Sequence, residues 1–133
     1  MADKKKLQSR SYPISKWAGE FLYLSGISGL DLDESQALPS DIPQQPEKPF
    51  RNMESILKKE GLGLEHVIDV TTYLVDMKDF KGYNEVYGKF FDHTGPSRTT
   101  IAAKSLILKE MLIEVKAIAH RPKLTDKTQK ETT

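Results

Sequence analysis

The sequence predicts a small α+β domain: one β-sheet with two helices on one of its faces. Three observations carry this. Two amphipathic helical patterns are separated by short apolar, β-rich runs. The order reads strand, helix, strand, helix, strand, strand, with room for one more strand near the N-terminus. The chain has 133 residues, the size of one domain. Residues 1–122 are read as that domain. Lys123–Thr133 is polar, has no apolar residue after Leu124, and is read as a disordered tail.

The first strong signal is GEFLYLSG (Gly19–Gly26), an apolar aromatic run between glycines that reads as a buried strand. Residues 29–49 carry Pro39, Pro43, Pro46 and Pro49, which forbid one continuous helix there. Pro49 suits the first turn of the following helix, where a missing N–H costs nothing. Phe50, Met53, Ile56 and Leu57 then recur at helical spacing opposite Arg51, Glu54, Lys58 and Lys59, and the glycines of EGLG stop the helix. HVIDVTTYLVDM (His66–Met77) is β-branched and apolar enough to predict a strand buried on both faces at its centre.

Asp79 is a suitable N-cap for a second helix, along which Phe80, Tyr83, Tyr87 and Phe90 form an aromatic stripe read as core packing. HTGPS breaks that helix. RTTIAA (Arg98–Ala103) and MLIEVKAIAH (Met111–His120) complete the set as strands. With two helices on one sheet face, the other face needs a cover, and a second copy of the chain is the expected one.

Composition narrows the function. The formal net charge is +1, which gives no long-range field to draw nucleic acid or an anionic membrane. There is no cysteine, so disulfides, thiol catalysis and thiolate metal sites are excluded. No apolar run approaches the ~20 residues of a membrane span, and MADKKK lacks the apolar core of a signal peptide. A cytosolic location fits. His66, His93 and His120 do not stand at metal-ligand spacing, no serine sits in a nucleophile elbow, and no phosphate-binding glycine motif occurs. Asp69, inside an apolar strand, reads as an edge residue or one bonded to a neighbouring strand.

One charged residue demands a reason. Arg98 opens what reads as a buried strand. Period-2 geometry puts Arg98 and Thr100 on one sheet face. If the last two strands form a hairpin turning near Leu106 or Ile107, Glu114 comes roughly opposite Arg98, and the three residues share a site. A structural Arg–Glu ion pair is the commoner meaning of such an arrangement.

Taken together, FLYLSG, NMESIL, HVIDVTTYLVDMKDFKGYNEVYGKFF, GPSRTTIAA and IEVKAIA, in that order, resemble the RidA/YjgF family of enamine/imine deaminases, from about Tyr12 to Arg121. The resemblance implies a chorismate-mutase-like fold with a single mixed sheet. It also implies a homotrimer with sites between subunits and hydrolysis of small imino acids of the 2-aminoacrylate type to 2-keto acids and ammonia, with no cofactor and no metal. By the same resemblance Arg98 matches the arginine that binds the substrate carboxylate, a task suited to a planar, bidentate guanidinium. Glu114 matches the glutamate that positions water. Tyr12, Ser25, Gly26, Asn84 and Thr100 match pocket-lining positions.

The chain departs from the family pattern in RSYPISKWA near the N-terminus and in KSLILKEML. The latter is one residue longer than usual and lacks the customary Leu-Pro. Such changes suit a larger substrate, as in a 2-aminomuconate deaminase. Family names also include endoribonuclease and translation inhibitor, but a net charge near zero argues against RNA as a partner. A non-catalytic binding trimer is the fourth alternative.

Overall fold

The structure, a computed structural model, describes residues 11–29 and 46–122. Most of the proline-rich stretch and the whole Lys123–Thr133 segment lie outside the described residues.

Strands β1 (Ser15–Ala18), β2 (Phe21–Leu24), β3 (Val67–Leu74), β4 (Ser97–Ala102) and β5 (Ile113–His120) form one mixed sheet in the order β1-β2-β5-β3-β4. Helices α1 (Glu47–Lys59) and α2 (Phe80–Phe90) pack on one face. The predicted fold class is therefore the observed one, and the extra N-terminal strand is β1.

Helix α1 starts two residues before Pro49, which takes a place in its first turn, where its absent N–H has no intrahelical acceptor to miss. Phe50, Met53, Ile56 and Leu57 are all buried, as their spacing predicts. The helix ends in paired reverse bonds, from Leu62 N–H to the Leu57 carbonyl and from Gly61 N–H to the Lys58 carbonyl. Gly61 supplies the positive φ of 77° that this termination needs. Asp79 is the N-cap residue of α2, as expected, but its side chain makes no capping bond. Asp76 rather than Asp79 accepts a backbone N–H, that of Lys78, at the head of a 3₁₀ turn (Met77–Asp79) leading into the helix.

Burial alternates along the strands. On β3, Val70, Thr72 and Leu74 face the helices and are buried, while Asp69, Thr71 and Tyr73 stay half-buried. On β2, Leu22 and Leu24 are buried and Tyr23 is exposed. Both strands are thus covered on one face only, not buried throughout. The expectation of two-sided burial for β3 fails because the apolar content of its second face is a half-exposed surface in the single chain. Asp69 accepts a hydrogen bond of 2.6 Å from Ser97 Oγ on the neighbouring strand, as anticipated.

The larger correction concerns β4 and β5. They do not form a hairpin. β4 pairs in parallel with β3, and β5 pairs antiparallel with the opposite edge of β3. Helix α2 is the crossover that a parallel β3–β4 pair requires. Residues 103–112 then pass over the end of β3 to reach β5. Their path is fixed by hydrogen bonds from Ala103 N–H to the Leu74 carbonyl and from Val75 N–H to the Leu112 carbonyl. β4 ends up outermost and has no buried residue, so Arg98 opens an exposed edge strand, not a buried one.

Candidate functional site

The sheet register sorts the candidate residues into two clusters. Arg98 is paired with Val70 and Thr100 with Thr72, and Val70 and Thr72 both point into the core beneath the helices. Arg98 and Thr100 therefore share the helix side of the sheet, where Arg98 meets α2. Its Nη1 donates to Asn84 Oδ1 at 2.9 Å. Its guanidinium lies over three rings of the aromatic stripe, 4.6 Å from the centroid of Tyr87, 5.5 Å from Tyr83 and 5.8 Å from Phe80.

Beneath it, Thr72 Oγ1 and Tyr83 Oη share a buried hydrogen bond of 2.7 Å. Thr100 Oγ1 and Tyr87 Oη are buried without a hydrogen-bond partner. Burial, with neighbouring Tyr83, pushes the Tyr87 phenol up to about 12, so it is neutral across the physiological range. No carboxylate lies within ion-pair distance of Arg98 among the described residues.

The second cluster is on the other face. Glu114 is paired with Tyr73, and it alternates with the buried Ile113 and Val115, which face the helices. An antiparallel bridge between Ile27 and Val115, with N–H···O bonds of 2.6 and 2.8 Å, brings Gly26 against the Glu114 side chain. A Cβ at Gly26 would stand 2.6 Å from Glu114 Oε2, so only glycine allows this approach. Ser25 holds the N-terminal segment beside it, donating from Oγ to the Pro13 carbonyl at 2.7 Å and from N–H to the Ile14 carbonyl at 2.9 Å. Tyr12 is exposed at the head of that segment. Lys116 Nζ donates to the Leu24 carbonyl at 3.1 Å. Burial raises the Glu114 carboxyl above its ordinary value.

Sequence spacing thus grouped Arg98 with Thr100 correctly but not with Glu114. Through β3, Arg98 lies level with Ala117, whereas Glu114 lies level with Ile101, on the opposite face. Neither a shared site nor an Arg98–Glu114 ion pair exists within one chain. Instead the chain carries a cationic half (Arg98, Asn84, Thr100) and an acidic half (Glu114, Gly26, Ser25, with Tyr12 nearby).

Sequence reading also missed that the aromatic stripe cradles Arg98. The available signal was Asn84 standing between Tyr83 and Tyr87, a polar residue beside the rings one helical turn deep. Clefts of about 220 and 560 Å³ lie elsewhere among the described residues, and of the residues above Tyr83 and Ile113 line the smaller one. The histidines do other work: His66 Nδ1 accepts the Gly63 N–H at 3.0 Å, and His120 Nε2 lies 3.4 Å from Glu20 Oε1. Among the described residues no cluster of potential ligands could hold a metal, and no helix is long and apolar enough to cross a membrane.

A five-stranded mixed sheet with two helices on one face is the fold of the RidA-type structures. RidA from an Antarctic Psychrobacter superposes with a TM-score of 0.74 at 26% identity, over 85% of this chain and 90% of that one. The sequence profile of the endoribonuclease L-PSP family matches residues 7–121, and the chain belongs to that family, the RidA/YjgF group its motifs resemble. A RutC family protein of Pyrococcus horikoshii is 38% identical over 104 residues, 78% of this chain and 82% of that one. A mouse protein named 2-iminobutanoate/2-iminopropanoate deaminase is 32% identical over 98 residues, 74% of this chain and 72% of that one.

Proposed function

We propose that the protein hydrolyses small reactive imino acids to 2-keto acids and ammonia, at a site built from the cationic half of one copy and the acidic half of another. The observation that carries this reading is that the two halves lie on opposite faces of one sheet, each with an unsatisfied charge. Among the described residues, Arg98 has no carboxylate and Glu114 no cation within ion-pair distance, and burial desolvates Glu114. Both can serve one substrate if copies pack so that one chain's arginine and the next chain's glutamate line a common cleft, with a homotrimer as the closed arrangement.

In that site Arg98 grips the substrate carboxylate, with one edge of its guanidinium held by Asn84. Glu114 accepts a proton from a water as its oxygen adds to the imine carbon. The C=N bond becomes a C–N single bond, and the nitrogen takes up a proton. Collapse of the resulting carbinolamine forms C=O and releases ammonia. The imine is already electrophilic, so the demand on acid–base power is small. The deaminase name of the mouse relative supports the reaction class, and Ser25, Gly26, Thr100 and Tyr12 are the residues expected to shape the pocket.

The test measures ammonia release from 2-iminobutanoate generated in situ. Arg98→Ala and Glu114→Gln should each abolish acceleration. When the two inactive variants are unfolded, mixed and refolded together, sites that combine the intact arginine of one chain with the intact glutamate of the other should return about a quarter of wild-type activity, the share expected of random mixing in a closed ring. Full activity in Arg98→Ala, or no recovery on mixing, would sink the reading.

A further inference from the structure

We infer that Tyr87 is the positioning residue for Arg98: its ring sets the plane of the guanidinium, so that one edge is held by Asn84 and the opposite edge is presented to an anionic ligand. The inference deepens the function proposed above and rests on it for the identity of that ligand.

The geometry supports it in three ways. First, Arg98 sits on an exposed edge strand with no ion pair among the described residues, so a long side chain would otherwise sweep many rotamers. Two restraints act on it, the Asn84 hydrogen bond and the aromatic cradle, and Tyr87 is the nearest ring at 4.6 Å. Second, that ring cannot yield. Tyr87 is only 8% exposed and is wedged by Phe50 (5.7 Å, edge-on), Tyr83 (5.9 Å) and Phe91 (5.0 Å), while Tyr83 is tied to Thr72 on the sheet. A cation over a fixed, desolvated ring face is held far more strongly than one over a mobile surface ring. Third, the phenol stays neutral, so Tyr87 attracts the guanidinium through its π face without becoming an anion that would occupy it. The arginine is thereby oriented yet left electrically unpaired, the state in which it can take a planar carboxylate in two parallel hydrogen bonds.

The experiment compares wild type, Tyr87→Phe and Tyr87→Leu by two readouts. In NMR spectra of the unliganded protein, the Arg98 Nε proton is expected upfield of the other exposed arginines in wild type and in Tyr87→Phe, through the ring current, and back among them in Tyr87→Leu. With 2-iminobutanoate generated in situ, Tyr87→Phe should keep KM within about twofold, whereas Tyr87→Leu should raise it about three- to thirtyfold, the range of a partly to fully desolvated cation–π contact. In both variants kcat should hold within about threefold, because carboxylate binding is lost equally from ground and transition states. A merely structural tyrosine would lower the active fraction, and so kcat, and leave KM alone.

An unshifted Arg98 proton in wild type overturns the inference, as does an unchanged KM in folded Tyr87→Leu. If Tyr87→Leu does not fold, the wild-type and Tyr87→Phe spectra decide: a shift lost on removing only the hydroxyl would place the restraint in the phenol, not the ring, and refute it. Should Arg98→Ala keep full activity, the proposed reaction fails, while the spectra still report whether the ring holds the arginine.

Discussion

Replacing Gly26 by alanine should separate activity from stability. Gly26 has no positive φ, so an alanine backbone fits without strain. The added Cβ would stand 2.6 Å from Glu114 Oε2 and 2.8 Å from its Cδ, and ordinary carbon contacts need about 3.5 Å or more. The carboxylate must therefore retreat by about 1 Å. The obstacle is the far end of a flexible side chain, so the retreat costs about 0.5–1.5 kcal/mol of rotamer strain. The lost freedom of the unfolded chain returns about 0.4–1 kcal/mol. Net stability should stay within about 1 kcal/mol of wild type, a Tm change of no more than about 4 °C. A 1 Å displacement of a group that aims water at an imine carbon can cost up to about 100-fold, so kcat/KM for imine hydrolysis should fall between about 10- and 100-fold.

Differential scanning calorimetry and the coupled ammonia assay measure the two quantities. In a Glu114→Gln background the same alanine should add little further loss of activity, since the group it displaces has already been disabled. Wild-type kcat/KM in Gly26→Ala would refute the reasoning, because the close approach would then have no bearing on chemistry. A large fall in Tm would refute it too, because the contact would then be a packing requirement.

Thr72→Val leaves Tyr83 Oη unpaired in the core and should cost about 1–3 kcal/mol in chemical denaturation, most of which Tyr83→Phe recovers in the double variant because both polar partners are then gone. Phe50→Ala removes a fully buried ring that meets Tyr83, Tyr87, Phe90 and Phe91, and should lower stability by about 3–5 kcal/mol, read as a fall in Tm of about 10 °C or more. Burial raises the Glu114 pKa in the folded chain, so its contribution to stability is present below the ordinary carboxylate value of 4.5 and is lost as pH rises through the raised folded value. Glu114→Gln, which does not titrate, should therefore gain on wild type as pH is taken from about 4 to about 7 in thermal melts, and a gap that closes instead would contradict the assignment.

Local features of the fold were legible because local physics sets them. The 3.6-residue period put Phe50, Met53, Ile56 and Leu57 on one side of α1, and a glycine that alone tolerates φ of 77° ended it. Alternation on β5 was equally plain, with Ile113, Val115, Ala117 and Ala119 all buried. What the sequence hid was long-range pairing. Parallel and antiparallel neighbours share the same side-chain period, so nothing within RTTIAA says that it joins β3 rather than β5. Two clues were present. A full helix separates β3 from β4, as a parallel crossover requires, and residues 103–112 are long for a hairpin turn. Two-sided burial of β3 was overestimated for a related reason: Tyr73 and Thr71 are as apolar or β-branched as core residues, yet the face they occupy is left half-exposed.

The same pairing decides what one chain can do. With β3 between them, β4 and β5 present Arg98 and Glu114 to opposite sides of a sheet, and no side-chain rotation carries either through it. A hairpin would have allowed the two to neutralise each other as a surface ion pair, the commonest fate of such residues. The crossover through α2 prevents that. It leaves the arginine braced against Tyr87 and Asn84 and the glutamate lodged on Gly26, each oriented by its own neighbours. Two charges kept apart and held in place within the chain can act on one molecule only if Arg98 of one copy comes to face Glu114 of another. This is why refolding a mixture of the two single variants bears on mechanism as well as on assembly.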